Sequence, residues 1–225
     1  MAGPIRIAVM ASGGGSNLQA IIDACEAGRI SGSVVCIVSD RRNAGALDRA
    51  RNHGIEAIHL RVPKTGTPGW HDADRELVTL LNERGIDLVA LAGYMRIIGP
   101  ELIREYRHRI MNIHPALLPA FPGVEVQWDA VEYGVKIAGA TVHFADEEFD
   151  TGPIIIQAAV PLMPGDTGED LAHRILEQEH RIYPQAIQWF AEGRLEIEGR
   201  RVTLRDAVAL APTAHIVSPP IDGDF

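Results

Sequence analysis

The order of apolar and polar positions along the chain predicts a parallel sheet covered by helices. Short apolar runs alternate with segments in which apolar residues recur at helical spacing, as expected when each strand is followed by a helix. The predicted strands of this first part are 5–10, 33–39, 57–60, 87–91 and 109–113. The predicted helices are 16–27, 44–53, 72–84 and a short one that begins at Pro100, since proline favours the first helical turn.

The pattern changes after residue 113, where longer strands are predicted. The segments 137–144 and 153–160 have strand character and are joined by an acidic loop, 145–152. A long helix is predicted over 167–192, with Gly193 just past its end, and short strands at 195–197 and 202–204 indicate a terminal hairpin. We therefore expect an α/β fold with a single domain over 1–205 and a flexible tail over 206–225.

Composition and charge limit the partners of this chain. Its 225 residues suffice for a hydrophobic core, and its formal net charge of -9 leaves no excess of lysine and arginine to neutralise phosphates. This argues against nucleic acids and anionic membranes as partners, although backbone amides can still bind one small phosphate. The two cysteines lack metal-ligand spacing, and no apolar run approaches the length of a membrane span. We expect a cytoplasmic protein without a metal, and the sequence is compatible with a homodimer.

A glycine-rich turn between the first strand and the first helix is a candidate phosphate site. Gly13 to Gly15 permit positive φ angles and close approach of backbone N–H groups to an anion, and Ser16 or Asn17 would cap the helix. The dinucleotide fingerprint fails because Leu18 stands where its third glycine belongs, and the lysine of a P-loop is absent. The turn therefore favours a monophosphate, and a tight connection without any ligand is the alternative.

The strongest chemical signal is the segment MNIHPALLP, at the end of the predicted fifth strand. Asn112 and His114 are two residues apart, so a strand would present both on one face, at the edge where open α/β sheets bind ligands. In the acidic loop 145–152, Asp150 is set apart from the other acids because it precedes Gly152-Pro153 as if turned inward. The other three acids are expected to be solvated.

Asn112, His114 and Asp150 together are suited to addition at a carbonyl group. A carboxylate near His114 would favour the imidazolium, which would donate to a developing oxyanion together with the Asn112 amide. Asp150 would also receive the proton that an attacking amine loses. The sequence has no G-x-S-x-G or H-E-x-x-H motif, so no serine nucleophile or zinc site of those types is indicated. His143 is expected to be structural or to support the catalytic residues from behind, and His180 is expected to be structural.

Five segments resemble, in order, the bacterial phosphoribosylglycinamide formyltransferases: ASGGGSNLQAIIDAC, LAGYMRIIGP, MNIHPALLPAFPG, TVHFADEEFDTGPIIIQ and EQEHRIYPQAIQWFAEGRL. The resemblance extends from Ile5 to about Leu195. It implies a Rossmann-like formyltransferase fold and transfer of a formyl group from 10-formyltetrahydrofolate to the amine of glycinamide ribonucleotide. It also implies a nucleotide-binding half over about 1–110 and a catalytic and folate-binding half over about 111–205.

The same resemblance implies roles for particular residues. Gly15, Ser16 and Asn17 would hold the substrate phosphate, and Glu179 would contact its ribose or amide portion. Residues 95–98 would line the folate pocket largely through backbone groups, opposite the acidic loop. The implied folate-binding residues are Met95, Arg96, Ile97, Ile98 and Asn112. The implied catalytic residues are Asn112, His114 and Asp150.

Two positions depart from the family pattern. Members commonly carry Ser-Arg-Glu ahead of the match to Asp74-Arg75-Glu76-Leu77, with the arginine reaching towards folate, whereas Trp70 occupies that approximate place here. The segment Phe121-Pro122-Gly123 is usually followed, one residue on, by histidine, and Glu125 stands there instead. The first change removes a folate contact, and the second places an acid at the pocket.

Other functions would use a similar set of residues. Methionyl-tRNA formyltransferase would need a basic C-terminal domain for RNA, and formyltetrahydrofolate hydrolase a regulatory domain before the first strand; the length is expected to accommodate neither. A nucleotide-binding module without chemistry is an alternative of another class. A dehydrogenase would use Asp40 to bind a ribose, but Asp40 is expected to be a turn residue.

Overall fold

The computed structural model describes residues 3–208, so nearly all of the expected tail, 206–225, lies outside the described residues. The described strands are β1 (Ile5–Met10), β2 (Gly32–Ser39), β3 (Glu56–His59), β4 (Leu88–Leu91), β5 (Ile110–His114), β6 (Ile137–Phe144), β7 (Ile154–Pro161), β8 (Leu195–Glu198) and β9 (Arg201–Leu204). The described helices are α1 (Ser16–Glu26), α2 (Gly45–Asn52), α3 (Trp70–Glu83), α4 (Pro100–Glu105), α5 (Val126–Tyr133) and α6 (Gly168–Ala191).

The nine strands form one sheet in the order β3-β2-β1-β4-β5-β6-β7-β9-β8. The first five strands in this order, β3, β2, β1, β4 and β5, run parallel to one another, whereas β6 is antiparallel to both of its neighbours. The chain goes from β1 to β2 on one side and later returns to β4 on the other, which opens a crevice outside the carboxyl ends of β1 and β4. The predicted α/β fold, with a mostly parallel sheet, a long C-terminal helix and a terminal hairpin, is confirmed.

Strand β1 is buried on both faces because helices cover both sides of the sheet. Ile7 and Val9 belong to an apolar cluster that includes residues of α1 and α6, while Ala8 and Met10 belong to a second cluster with residues of α3 and α4. Alternate strand residues point to opposite faces, so one apolar run serves both clusters. This explains the continuous apolar character of the run in the sequence.

The long helix α6 is fixed to the strands that end at the crevice. The buried hydroxyl of Tyr183 donates towards the backbone carbonyl oxygens of Leu91, at 3.1 Å, and Met111, at 2.8 Å. These carbonyls belong to β4 and β5, whose ends are register partners at Leu91 and Asn112. Tyr183 therefore holds α6 at a fixed height beside the carboxyl ends of both strands.

The predicted elements lie within two residues of the observed ones, and α5 is the helix that was not predicted. Its N-cap residue, Glu125, has a φ of 58° and makes no side-chain capping bond, so the sequence carries no start signal there. Helix α3 begins at Trp70, two residues before the predicted start, because Gly69 adopts a φ of 84° that turns the chain into the helix.

Candidate active site

A cavity of about 720 Å³ lies at the carboxyl ends of β4 and β5. It is lined by residues after β4, at the end of β5, at the start of α5 and in the acidic loop after β6. Such a volume is typical of sites that bind a small organic ligand. The cavity lining includes Met95, Arg96, Ile97, Ile98, Asn112, His114 and Asp150. The structure thus brings the predicted folate-binding and catalytic residues to one cavity.

Asn112 and His114 project from the last residues of β5 on the same face of the strand, as the spacing predicted. Strand β6 runs antiparallel beside them and places His143 opposite Asn112, and Thr141 opposite His114. The His114 side chain is only 4% exposed. The pairing of the two strands therefore fixes where both side chains leave the backbone.

The Asp150 carboxylate is the point at which the side chains of the site converge. It is 2% exposed and accepts hydrogen bonds from Asn112 Nδ2, at 3.4 Å, and from the backbone N–H of Gly123, at 3.2 Å. His114 Nδ1 lies 3.4 Å from Oδ2, and His143 Nε2 lies 3.7 Å from Oδ1. The backbone of Asp150 has a φ of 55°, a conformation that aspartate tolerates better than most residues. This turn directs the carboxylate inward, as expected.

The second ring nitrogen of His114 is held by the backbone. Nε2 lies 2.8 Å from the carbonyl oxygen of Phe121, and a carbonyl oxygen can only accept, so Nε2 carries a hydrogen. Nδ1 can then donate to Asp150 only when it also carries a hydrogen. With Nε2 held by the Phe121 carbonyl, Nδ1 is the ring nitrogen on the side of Asp150.

His143 orients the Asn112 amide. Burial lowers the pKa of His143, and its hydrogen bond to the Phe144 carbonyl and the charge of Asp150 oppose this only in part. In the neutral ring Nδ1 donates to the Phe144 carbonyl, at 3.0 Å, which leaves Nε2 to accept from Asn112 Nδ2, at 3.1 Å. The amide hydrogens of Asn112 thus point to His143 and Asp150. His143 was expected to be structural or to support the catalytic residues, and its contact with Asn112 is of the second kind.

The glycine turn has the predicted geometry, but its helix cap differs from the expectation. Gly15 is the N-cap of α1, with a φ of 76°, and no side chain caps the helix. The expected caps, Ser16 and Asn17, are the first residues of the helix instead. An added Cβ at Gly15 would approach Ala46 Cα to 2.9 Å, so this position accepts only glycine without rearrangement.

Asn17 and Glu179 form a buried pair beside the glycine turn. Asn17 Nδ2 donates to Glu179 Oε2 at 2.6 Å, which explains why Asn17 does not cap α1. Burial raises the pKa of the Glu179 carboxyl, and the hydrogen bond from Asn17 acts against this shift. Within residues 3–208, Asn17 Oδ1 is buried without a hydrogen-bond partner. The structure therefore brings the predicted residues Gly15, Ser16, Asn17 and Glu179 together.

Asp40 lies in the turn between β2 and α2, as expected, and its side chain also links two parts of the site. Its side chain is 3% exposed and accepts from Ser12 Oγ, at 2.6 Å, and from Arg96 Nε, at 2.9 Å. Ser12 Oγ in turn accepts from the backbone N–H of Met95, at 2.8 Å. This buried bridge links the start of the glycine turn to the cavity segment 93–98. No local pattern indicates this bridge, because its partners lie 28 and 56 residues from Asp40.

The two departures from the family pattern lie on different parts of the cavity region. Glu125 is part of the cavity lining, which places an acid there, as expected. Trp70 lies at the N-terminus of α3, edge-on to His71, and borders a small hollow that it shares with Tyr94 and Ile97. Trp70 therefore lies behind the segment 93–98 rather than in the main cavity.

Comparison with known proteins identifies the family. Residues 5–187, most of the chain, match the family described as formyl transferase. The chain belongs to the formyl transferase family. The predicted membership of this family is thereby confirmed, and with it the prediction of an enzyme.

Relatives within the formyl transferase family cover nearly the whole chain. Phosphoribosylglycinamide formyltransferase of Escherichia coli (strain K12) is 42% identical over 211 residues, which are 94% of this chain and 98% of that protein. The crystal structure of glycinamide ribonucleotide transformylase 1 from Symbiobacterium toebii is 55% identical, with a TM-score of 0.85 over 89% of this chain and 93% of the other. A formyltetrahydrofolate deformylase from Pseudomonas syringae is 28% identical, with a TM-score of 0.83 over 90% of this chain and 66% of the other.

Residues 3–208 contain neither a metal-binding group of side chains nor a membrane-spanning helix. Within this range, no cluster of three or more histidine, cysteine, aspartate or glutamate side chains has an arrangement suited to a metal ion. None of the helices in the same range combines the length and apolar character that crossing a bilayer requires.

Proposed function

We propose that this member of the formyl transferase family transfers the formyl group of 10-formyltetrahydrofolate to the amine of N1-(5-phospho-D-ribosyl)glycinamide. The products are the N-formyl compound and tetrahydrofolate, in de novo purine biosynthesis. One observation carries the proposal: Asn112 Nδ2 donates to the buried Asp150 carboxylate at 3.4 Å, and His114 Nδ1 lies 3.4 Å from the same carboxylate. Two donors and one acceptor therefore share a centre the size of one reacting group. The names of the E. coli and Symbiobacterium relatives support the choice of substrates.

The donors stabilise the charge that develops during the reaction. The substrate amine attacks the formyl carbon, and the formyl oxygen becomes an oxyanion in the tetrahedral intermediate. Asn112 Nδ2 and the imidazolium Nδ1 of His114 donate to this oxygen, while the Phe121 carbonyl keeps the ring in place through Nε2. The formyl C=O then re-forms as the bond between the formyl carbon and N10 of the folate breaks, and N10 takes up the proton that the amine gave to Asp150.

Asp150 accepts the proton that the amine loses. While it is ionised, the carboxylate competes with the oxyanion for the hydrogens of Asn112 and His114. Protonation weakens that competition, so transfer of the amine proton to Asp150 releases both donors to the oxyanion. Asp150 lies 3.4 Å from both Asn112 Nδ2 and His114 Nδ1, which is long for a hydrogen bond. Little free energy is therefore lost when the two donors turn from Asp150 to the oxyanion.

The two ends of the site divide the substrates between them. The amides of the turn 13–17 and the N-terminus of α1 suit a phosphate monoester, and Glu179 beside them suits the ribose or amide portion. The cavity of about 720 Å³ suits the folate, with Met95, Arg96, Ile97 and Ile98 on one wall.

We include in the proposal a single domain over 1–205 and a cytoplasmic location. A homodimer is tested by light scattering of the purified protein.

Hydrolysis of the formyl donor is the second candidate function. The deformylase of Pseudomonas syringae has a similar fold at 28% identity, and water can take the place of the amine at the same three residues. The glycine turn favours transfer, because hydrolysis needs no phosphate-bearing acceptor. A formyltransferase with another amine acceptor would likewise differ from the proposed enzyme in the group that it binds at the glycine turn.

The test is a formyl-transfer assay with purified protein. Tetrahydrofolate release and the mass of the formylated ribonucleotide are followed with 10-formyltetrahydrofolate and glycinamide ribonucleotide, and with each substrate alone. We expect both products only when both substrates are present. Equal tetrahydrofolate release without the ribonucleotide would instead establish hydrolysis, and no release under any condition would favour a binding module.

His114→Ala isolates the role of the imidazolium. We expect turnover to fall by about 10²-fold or more while the ribonucleotide still binds, because the main charged donor is lost. His173→Ala, at an exposed position of α6, is the matched control. Turnover of His114→Ala near that of the control would reject His114 as the donor.

A further inference from the structure

Helix α2 shapes the glycine turn by holding two of its carbonyl groups. The backbone N–H of Ala46 donates to the carbonyl oxygen of Gly13 at 3.1 Å, and Arg49 Nε donates to that of Gly14 at 2.7 Å. One of these bonds comes from the helix backbone and the other from a charged side chain. Both carbonyls are therefore turned towards α2.

The orientation of these carbonyls decides where the amides of the turn point. In a trans peptide the C=O and N–H bonds are antiparallel, and the only cis peptide bond in residues 3–208 is Leu118-Pro119. The N–H groups of Gly14 and Gly15, which share their peptides with the held carbonyls, thus point away from α2. Neither amide donates to another group within the described residues. Both are free to bind an anion.

The Arg49 guanidinium is fixed at two points. Besides Gly14, it binds Gln19 Oε1 of α1 through Nη1 at 3.1 Å. Its bonds therefore join α2, the turn and the first helix, and they place a positive charge beside the amides. Arginine suits this role because its planar donors hold two acceptors at once, which a lysine ammonium does with less geometric control.

We propose that Arg49 is a positioning residue for the substrate phosphate. By holding the Gly14 carbonyl it directs the Gly15 amide at the anion, and its charge lowers the cost of bringing the anion to the turn. The inference rests on the proposed function of the glycine turn as the phosphate site. It goes beyond that function by assigning part of phosphate recognition to a side chain on α2, outside the turn.

Arg49→Met tests the proposal, because methionine keeps the apolar stem and removes the donors and the charge. We expect KM for glycinamide ribonucleotide and the Kd of inorganic phosphate, measured by calorimetry, each to rise about tenfold or more. The kcat and the KM for the formyl donor should stay within about twofold. Arg51→Met is the matched control, since Arg51 lies on the same helix but pairs with exposed Asp48; its constants should equal those of the wild type.

Two further measurements separate positioning from a general structural role. Glycinamide riboside, which lacks the phosphate, should be formylated equally by wild type and Arg49→Met, because the lost contact concerns only the phosphate. Arg49→Lys should recover at least half of the lost phosphate affinity on a logarithmic scale, and it covers the case in which the methionine variant does not fold.

The outcomes distinguish this inference from the proposed function. Unchanged phosphate affinity in Arg49→Met, or equal losses with the ribonucleotide and the riboside, would overturn the role of Arg49. If the wild type transferred no formyl group, the proposed function would fail, yet the calorimetric comparison with inorganic phosphate would still decide whether Arg49 shapes an anion site.

Discussion

Replacing Asp150 by asparagine removes the proposed proton acceptor with little change of shape. Asparagine tolerates the φ of 55° at this position and can keep the hydrogen bond from the Gly123 amide, at 3.2 Å. The contacts with His114 and His143, at 3.4 Å and 3.7 Å, are long, and the substitution also removes the cost of burying a charge. Since removing one member of a buried pair is costly but these contacts are long, we expect the free energy of unfolding to fall by no more than about 3 kcal/mol.

The effect on turnover should be much larger. General base catalysis contributes about 10²- to 10⁴-fold, so kcat should fall within that range, which corresponds to roughly 3–5 kcal/mol of activation free energy. The loss should appear in kcat with little change in either KM, because Asp150 acts on the proton and on the donors rather than on binding. An asparagine amide cannot accept the amine proton.

Steady-state kinetics and urea denaturation of the same preparations test this prediction. Asp129→Asn, at an exposed position of α5, is the matched control and should behave as the wild type in both measurements. Full activity of Asp150→Asn would move the proton acceptor to another group and refute the exchange of donors described above. A large loss of stability without loss of kcat would show instead that the carboxylate is structural.

Three further perturbations address other parts of the site. Gly15→Ala should destabilise the fold by about 1–3 kcal/mol in urea titrations, because a positive φ and the contact with Ala46 oppose a side chain; an unchanged midpoint would show that α2 yields. Asp40→Asn should raise KM for the formyl donor about 2- to 10-fold and leave KM for the ribonucleotide unchanged, because it removes the charge that fixes Arg96. A KM for the formyl donor equal to that of the wild type would show that the bridge between Asp40 and Arg96 does not contribute to binding. The pKa of His143 in the folded protein lies below the usual 6.5, so the wild type loses stability as the pH falls through 6.5. His143→Gln should therefore lose less stability than the wild type between pH 7.5 and 5.5. Equal losses in both proteins would contradict this.

The strand and helix order could be predicted because its signals are local. Each buried strand shows a short apolar run, and each helix shows apolar residues at helical spacing, since burial acts on the residues of the element itself. The common face of Asn112 and His114 follows from strand geometry alone. The Gly152-Pro153 that follows Asp150 indicated that its side chain turns inward. The family resemblance supplied the remaining site residues.

Tertiary structure decided the contacts that give these residues their chemistry. Asp150 meets Asn112 across 38 residues, and Asp40 meets Arg96 across 56. Helix α5 escaped prediction because its start depends on the left-handed backbone of Glu125 rather than on a capping side chain. Arg49 reaches the glycine turn only because α2 packs against it.

A local pattern therefore determined which elements form and which side chains share a face. It could not determine which element approaches which, because that depends on the burial of whole faces and on strand pairing between segments far apart in the chain. The side chain of His114 illustrates the difference. Its place on the strand could be predicted from two residues, whereas its surroundings include a carbonyl from Phe121 and a carboxylate from Asp150, which only the folded chain brings to the two ring nitrogens.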